Sequence, residues 1–253
     1  MKRSNYIKNY YNKYYTNNLH DFWGKSKILN AFKTYESDSK QGNWLSKRMR
    51  INGNEKILDC GCGIGGLMKE ISELYPDTEI HGINISNKQI EMAENILESY
   101  KNCHLSIQDF TNTNYKDNSF DIIYFCESIC YSDYSKALKE SYRLLKPAGT
   151  LYIKDLIIKC PKDKLSKNEL KKLKNFSNSW YTEVYDTDTI IDKIDKIGGF
   201  DLIDTKRFIK PSINWINAVK NSSLKKYHKA KLSNIPPVRG ADFLYIKRGK
   251  NES

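Results

Sequence analysis

Lys56-Ile57-Leu58-Asp59-Cys60-Gly61-Cys62-Gly63-Ile64-Gly65-Gly66 is an apolar strand that ends at an acid and passes directly into a run of glycines. Gly61, Gly63 and Gly65 remove side chains where the backbone must turn sharply and let a ligand sit almost against it. Leu67 to Tyr75 reads as the following helix, whose N-terminal amides point back toward that ligand. Strand, glycine turn and helix together form the nucleotide-cradling end of a doubly wound α/β sheet. The spacing is Gly-x-Gly-x-Gly, which sets it apart from the dinucleotide pattern Gly-x-Gly-x-x-Gly.

Outward from this turn the chain keeps alternating strand and helix patterns. Glu79 to Ile85 reads as a second strand, opened by the Pro76-Asp77 turn. Asn87 to Tyr100 carries Ile90, Ala93, Ile96 and Leu97 at helical spacing. Cys103 to Gln108 is a short third strand, and Phe120 to Cys126 is apolar throughout, as a buried parallel strand requires. Tyr134 to Leu145 is a helix stopped by Pro147 and Gly149, and Thr150 to Asp155 is a fifth strand. Further on, Lys162 to Asn178 and Asp188 to Ile197 read as helices, Phe200 to Phe208 as a strand, and Ala241 to Arg248 as a last strand.

The 253 residues allow one large α/β domain with embellishments. No run approaches the roughly 18 apolar residues of a membrane span, and Met1 to Tyr6 has no apolar stretch of a secretory signal behind it. The six cysteines lack paired zinc spacing and read as free thiols in a reducing cytoplasm; no metal is expected. The net charge of +12 points two ways. Lys, Asn, Ile and Tyr are abundant together, as an AT-rich coding sequence dictates. The same lysines would also give a basic rim to an anionic partner.

Asp59-x-Gly61-x-Gly63-x-Gly65 resembles the first motif of class I S-adenosylmethionine (SAM) methyltransferases. The order of the later segments over residues 50 to 155 fits the same family. That resemblance implies a Rossmann-like, seven-stranded sheet with helices on both faces. An N-terminal helical lid over residues 1–44 would precede a domain over 45–253, with cap insertions at about 160–185 and 209–240. SAM is the cofactor it implies. Gly61, Cys62, Gly63 and Gly65 would lie under the methionine and ribose, with Asp59 on the amino group. Most family members grip the ribose with an acid after the second strand, where this chain has Asn84. The stretch Gly82-Ile83-Asn84-Ile85-Ser86-Asn87-Lys88-Gln89 resembles that of cyclopropane fatty acid synthases. There the acid is also absent and the Gln helps hold the ribose, a role this likeness gives to Gln89. Asp109 and Phe110 match the adenine-binding pair, and Ile85 and Cys126 fall on the same cofactor wall.

Two segments bear on the acceptor. Tyr10-Tyr11-Asn12-Lys13-Tyr14-Tyr15 with Phe22-Trp23-Gly24 resembles the N-terminal region of sterol side-chain methyltransferases, although aromatics in such a helix also serve to cover a sheet. Cys126-Glu127-Ser128-Ile129-Cys130-Tyr131 resembles the stretch in sterol and prenyl-diphosphate C-methyltransferases that sets a Glu near a developing cation. Glu127, Tyr131 and His228 are therefore the candidate catalytic groups. Tyr11, Tyr15, Trp23, Trp180 and Trp215 are candidates for the acceptor's walls, since aromatic caps suit apolar or cationic ligands. The favoured reading is carbon methylation of a prenyl- or sterol-like alkene, an apolar small molecule that carries an anionic group in the prenyl case. N-methylation of a small amine or phosphobase is the close alternative. Charge alone raises an RNA or cap methyltransferase, whose strand-four signatures are absent.

Overall fold

The computed structural model describes residues 3–12, 41–208 and 237–249. A short helix α1 (Arg3–Tyr10) and α2 (Gln41–Met49) precede a regular alternation: β1 (Lys56–Cys60), α3 (Gly66–Leu74), β2 (Glu79–Asn84), α4 (Asn87–Leu97), β3 (Cys103–Ile107) and β4 (Phe120–Cys126). There follow α5 (Tyr134–Leu144), β5 (Leu145–Ile158), α6 (Lys167–Trp180), α7 (Thr187–Asp195), β6 (Phe200–Phe208) and β7 (Val238–Lys247). The strands form one sheet in the order β3-β2-β1-β4-β5-β7-β6. The first five run parallel, while β7 lies antiparallel between β5 and β6. This is the seven-stranded sheet that the resemblance implies, with the late last strand antiparallel.

Side chains of alternate strand positions feed two core layers. On one face Ile57, Tyr124 and Tyr152 pack with Trp44, Leu45 and Met49 of α2, Met68 and Ile71 of α3, Ile90 of α4 and Leu173 of α6. On the other, Leu58, Ile123, Phe125 and Ile153 pack with Ala137 and Leu138 of α5 and Ile190 and Ile194 of α7. Helix starts follow their caps: Ser86 accepts the Gln89 amide, Asp133 the Lys136 amide, and Ser166 with Glu169 forms a full capping box.

Strand β5 begins earlier than the sequence pattern places it. Leu145 already pairs with Phe120, and the ladder resumes at Ile122 with Thr150. Pro147 therefore sits within a bulge, where Ala148 takes a left-handed conformation (φ 61°) and no ladder amide is demanded of the proline. Strand β7 likewise begins at Val238, because its ladder with β5 extends to Ile158.

Chain order places the crevice. Strands β2 and β3 lie on one side of β1, and β4 on the other, so the connections after β1 and β4 leave in opposite directions and a gap opens at their carboxyl ends. The late strands are locked onto this frame by Arg48 of α2. Its guanidinium makes a two-pronged contact with Asp242 of β7 (2.8 Å on each prong) and reaches Asp204 of β6 at 2.5 Å. Asp242 is fully buried and also accepts the Tyr152 hydroxyl at 3.0 Å. Arg48→Met strands that carboxylate without its cation and should lower unfolding free energy by about 3 kcal/mol. Urea melts of the two proteins measure it, and a loss within error of zero would remove Arg48 from the fold's supports.

Candidate active site

The turn after β1 forms the floor of the crevice. Gly61, Gly63 and Gly65 have φ of 93°, 56° and 82°, the left-handed region that side chains avoid. The Gly61 and Cys62 amides donate to the Ile83 carbonyl at 2.9 and 3.1 Å, tying the turn to the end of β2. At Gly61 a Cβ would stand 2.6 Å from Ser128 Cβ, so the loop after β4 closes directly onto this glycine. The Ser128 hydroxyl completes the contact by donating to the Cys60 carbonyl at 2.5 Å.

Above the floor lies a cavity of about 900 Å³. Asp59, Gly61, Cys62, Gly63, Asn84, Ile85, Gln89, Asp109, Phe110 and Cys126 all line it, as do Glu127, Tyr131 and Tyr11. Gly65 does not: it is the residue before α3, turned toward Leu97, where a Cβ would lie 2.8 Å from Leu97 Cδ1. Trp180 lies off the cavity's lining and stacks at 6.2 Å on Phe176. Tyr15, Trp23, Trp215 and His228 lie outside the described residues.

The polar lining is fixed by its own bonds. Asn84 Nδ2 donates to Gln89 Oε1 at 2.8 Å, and Asn84 Oδ1 accepts the Ser86 amide at 3.0 Å. The two amide side chains thus act as one bracket at the end of β2, in place of a single acid. Asp109 Oδ1 accepts the amide and hydroxyl of Thr111 at 2.9 and 2.7 Å, and Phe110 stands edge-on to Phe125 at 5.3 Å. The N-terminal segment closes one side. Ile7 and Tyr11 line the cavity, Tyr11 meets the Tyr131 ring edge-on at 5.5 Å, and Asn12 Oδ1 accepts the Ser86 hydroxyl at 2.7 Å. Tyr6 and Tyr10 pack on Tyr181 at 4.5 and 5.5 Å.

Charge in the site is set by burial. Asp59 is pushed from 3.8 up to about 7 by desolvation, against the pull of the Tyr124 hydroxyl that donates to it at 2.6 Å. A buried carboxyl at the cavity wall, costly to ionise alone, suits the ammonium of an amino-acid ligand. Together with the side-chain-free floor, it makes the residues present fit SAM. Glu127 is paired with Lys154, whose ammonium lies 2.6 Å from its Oε1; the two side chains are 8% and 1% exposed. Desolvation alone would depress the Lys154 pKa, but the neighbouring Glu127 carboxylate reverses it and the net shift is upward. Asp155 rises to about 6 through burial, tempered by the Leu156 and Cys130 amides it accepts at 2.7 and 3.1 Å.

Ser128, Asn12, Lys154 and Asp155 are participants that the sequence reading passed over. For the last two a signal existed: adjacent charges inside the otherwise apolar Leu151-Tyr152-Ile153-Lys154-Asp155-Leu156-Ile157 strand. Away from the cavity, Glu79, His81 and His104 bring possible ligand atoms within 4.8 Å of one another. The Lys56 ammonium, 2.7 Å from Glu79 Oε1, already stands where a cation would sit.

The Asp59 shift has a testable sign. A carboxyl protonated to about pH 7 when folded, but only to about 4 when unfolded, makes the native state bind more protons across that window. Stability of the ligand-free protein therefore falls as pH rises through it. Asp59→Asn should flatten most of that fall in urea melts run across the window, leaving a smaller slope from Asp155. An unchanged slope would reject the buried, proton-holding Asp59.

Comparison with known proteins bears on this geometry. A family model described as a methyltransferase domain matches residues 51–214. A sterol 24-C-methyltransferase of Debaryomyces hansenii is 31% identical over 157 residues, covering 57% of this chain and 41% of that protein. A cycloartenol-C-24-methyltransferase of Arabidopsis thaliana is 33% identical over 116 residues, covering 44% and 34%. The chain thus spans less than half the length of these curated relatives. The crystal structure of geranyl diphosphate C-methyltransferase from Streptomyces coelicolor A3(2), solved with Mg2+, geranyl diphosphate and S-adenosyl-L-homocysteine, superposes with a TM-score of 0.75. The match covers 98% of both chains at 12% identity, a likeness of fold. With its strand order, glycine turn and family match in agreement, the chain belongs to the methyltransferase domain family.

Proposed function

We propose that this protein transfers a methyl group from SAM to a small-molecule acceptor, and that the preferred reaction is carbon methylation of a prenyl- or sterol-like alkene. The observation that carries the reading is the cavity itself, with a side-chain-free floor at Gly61 and Gly63 and the Glu127 carboxylate with aromatic rings on its wall. The identity to sterol C-methylating relatives supports the alkene as acceptor.

In this reading Asp59 holds the amino group of SAM, the Asn84–Gln89 bracket the ribose hydroxyls, and Asp109 with Phe110 the adenine. Cys62, Ile85 and Cys126 supply apolar wall. SAM contributes a methyl group on a sulfonium, already activated for attack. The protein's task is to keep the alkene in line with that methyl and to exclude water. With SAM bound, transfer would make the carbon–carbon bond as the carbon–sulfur bond breaks and would leave positive charge on the former alkene. Tyr11 and Tyr131 face that charge with their rings, and Glu127 balances it and accepts the proton lost as a new double bond forms.

One observation favours amine methylation as a second reading. Among the described residues the cavity is lined by five carboxylates, Asp59, Asp109, Glu127, Asp133 and Glu183, against the single cation Lys136, a setting that draws a cationic acceptor. Glu127 would then take the proton from nitrogen. The free state of all six thiols suits the cytoplasm, which is the compartment proposed.

Methyl-labelled SAM incubated with cycloartenol, geranyl diphosphate and a phosphobase decides between the readings. Label in cycloartenol or geranyl diphosphate supports the alkene, and label in the phosphobase alone overturns it. Gly63→Arg should abolish SAM binding in calorimetry by filling the cofactor's place; full affinity would reject that placement. Glu127→Gln should spare SAM affinity and lower turnover about 100-fold, and normal turnover would remove Glu127 from the mechanism.

A further inference from the structure

Glu127 is held by Lys154 in two ways. Its amide donates to the Lys154 carbonyl at 2.6 Å, and its Oε1 accepts the Lys154 ammonium, also at 2.6 Å. To allow both, Glu127 takes a left-handed backbone conformation with φ of 55°. A non-glycine residue kept in that region at a cavity wall stores strain that the surroundings must hold. The two partners are also layered. Glu127 lines the cavity, whereas Lys154, on the neighbouring strand, stands behind the wall and is almost wholly buried. The pair is therefore a fixed dipole with its negative end toward the cavity, in surroundings too dry for either charge to persist alone.

We propose that Lys154 is a positioning residue of the reaction: its ammonium and carbonyl hold the Glu127 side chain and backbone so that the carboxylate is aimed into the cavity, toward the positive charge arising on the acceptor. Lys154 touches neither cofactor nor acceptor in this arrangement and acts only through Glu127. The assignment rests on the proposed function in one respect, namely that Glu127 faces the reacting acceptor. Titratable groups near the pair include the Cys126 thiol, pushed up to about 12 chiefly by burial, and the Asp155 and Asp59 carboxyls. Cys126 is neutral, while burial lets Asp59 hold its proton to about pH 7 and Asp155 to about 6. Lys154 is the cation in direct contact with the Glu127 carboxylate.

The test compares Glu127→Gln, Lys154→Met, Lys154→Arg and the double variant Glu127→Gln/Lys154→Met, using methyl-labelled SAM with cycloartenol and with geranyl diphosphate. Lys154→Met should lower kcat about 100-fold with SAM affinity unchanged in calorimetry. The acid limb of its turnover–pH profile should move to higher pH, because a buried carboxylate without its cation takes up a proton more readily. Lys154→Arg should restore most of the rate and the profile. The double variant should be no slower than Glu127→Gln alone, since the two residues act as one unit. Losses that multiply in the double variant, or an unshifted acid limb, would overturn the assignment while leaving Glu127's own role standing. Full turnover in Glu127→Gln would instead overturn the acceptor-side reading beneath it. A second readout needs no acceptor. At mildly alkaline pH, infrared spectra of Lys154→Met should contain a protonated-carboxyl band that the wild type and the double variant lack, and its absence rejects the proposal. Lys154→Arg and the double variant leave no unpaired buried charge, so the test survives a failure of Lys154→Met to fold.

Discussion

The contact between Gly61 and the loop after β4 is the constraint on which the site depends. Two connections that leave the sheet in opposite directions must come back within touching distance for a closed floor to exist. They can do so only because one contributes no side chain and the other a small one whose hydroxyl reaches the Cys60 carbonyl. A wider residue at either place would separate the β1 and β4 ends. The wall that carries Glu127 would then move away from the floor that carries Gly63. Floor and wall are thus parts of one piece of backbone geometry.

Several charged and amide groups of the cavity's lining are already committed to protein partners. Asn84 and Gln89 hold each other, Asp109 holds Thr111, Asp59 takes a hydroxyl from Tyr124, and Glu127 takes the Lys154 ammonium. Groups oriented in this way do not have to reorganise when charge moves next to them, which is the condition for strong electrostatic stabilisation in a dry site. The aromatic contacts of the N-terminal segment add a further side. Rings of Tyr6, Tyr10 and Tyr11 meet others on Tyr181 and Tyr131 in tilted and edge-on contacts, and the Tyr6 and Tyr181 hydroxyls share a hydrogen bond at 2.9 Å.

Much of this was legible in the sequence where the signal was local. The alternation of apolar strands and amphipathic helices gave the sheet, and the glycine turn gave its ligand-bearing end. The segments that follow each strand's carboxyl end put Asp59, Asn84, Asp109 and Glu127 around one cavity. What the sequence could not show were pairings across strands. Lys154 and Asp155 are neighbours in sequence but point to opposite faces, so one meets Glu127 and the other the Cys130 amide. Periodicity alone also cannot separate a glycine that borders a cavity from one that packs a helix end. Gly61 and Gly65 share a motif, yet only the first borders the cavity, because the second is backed by Leu97. The bulge at Pro147 was hidden for a related reason: a proline reads as a stop unless the partner strand is known to skip a residue.

The clasp of Arg48 on Asp204 and Asp242 has a consequence for how the protein is made. A ribosome delivers α2 well before β6 and β7, so Arg48 waits for its carboxylates. Until then β5 has an open edge and β6 has no neighbour to join it to the rest, because β7 is inserted between them. The nascent chain can assemble the parallel part and the floor of the crevice while still attached. It can seal its far border only after residue 247 has cleared the exit tunnel, and until then the open strand edges stay exposed to wrong partners.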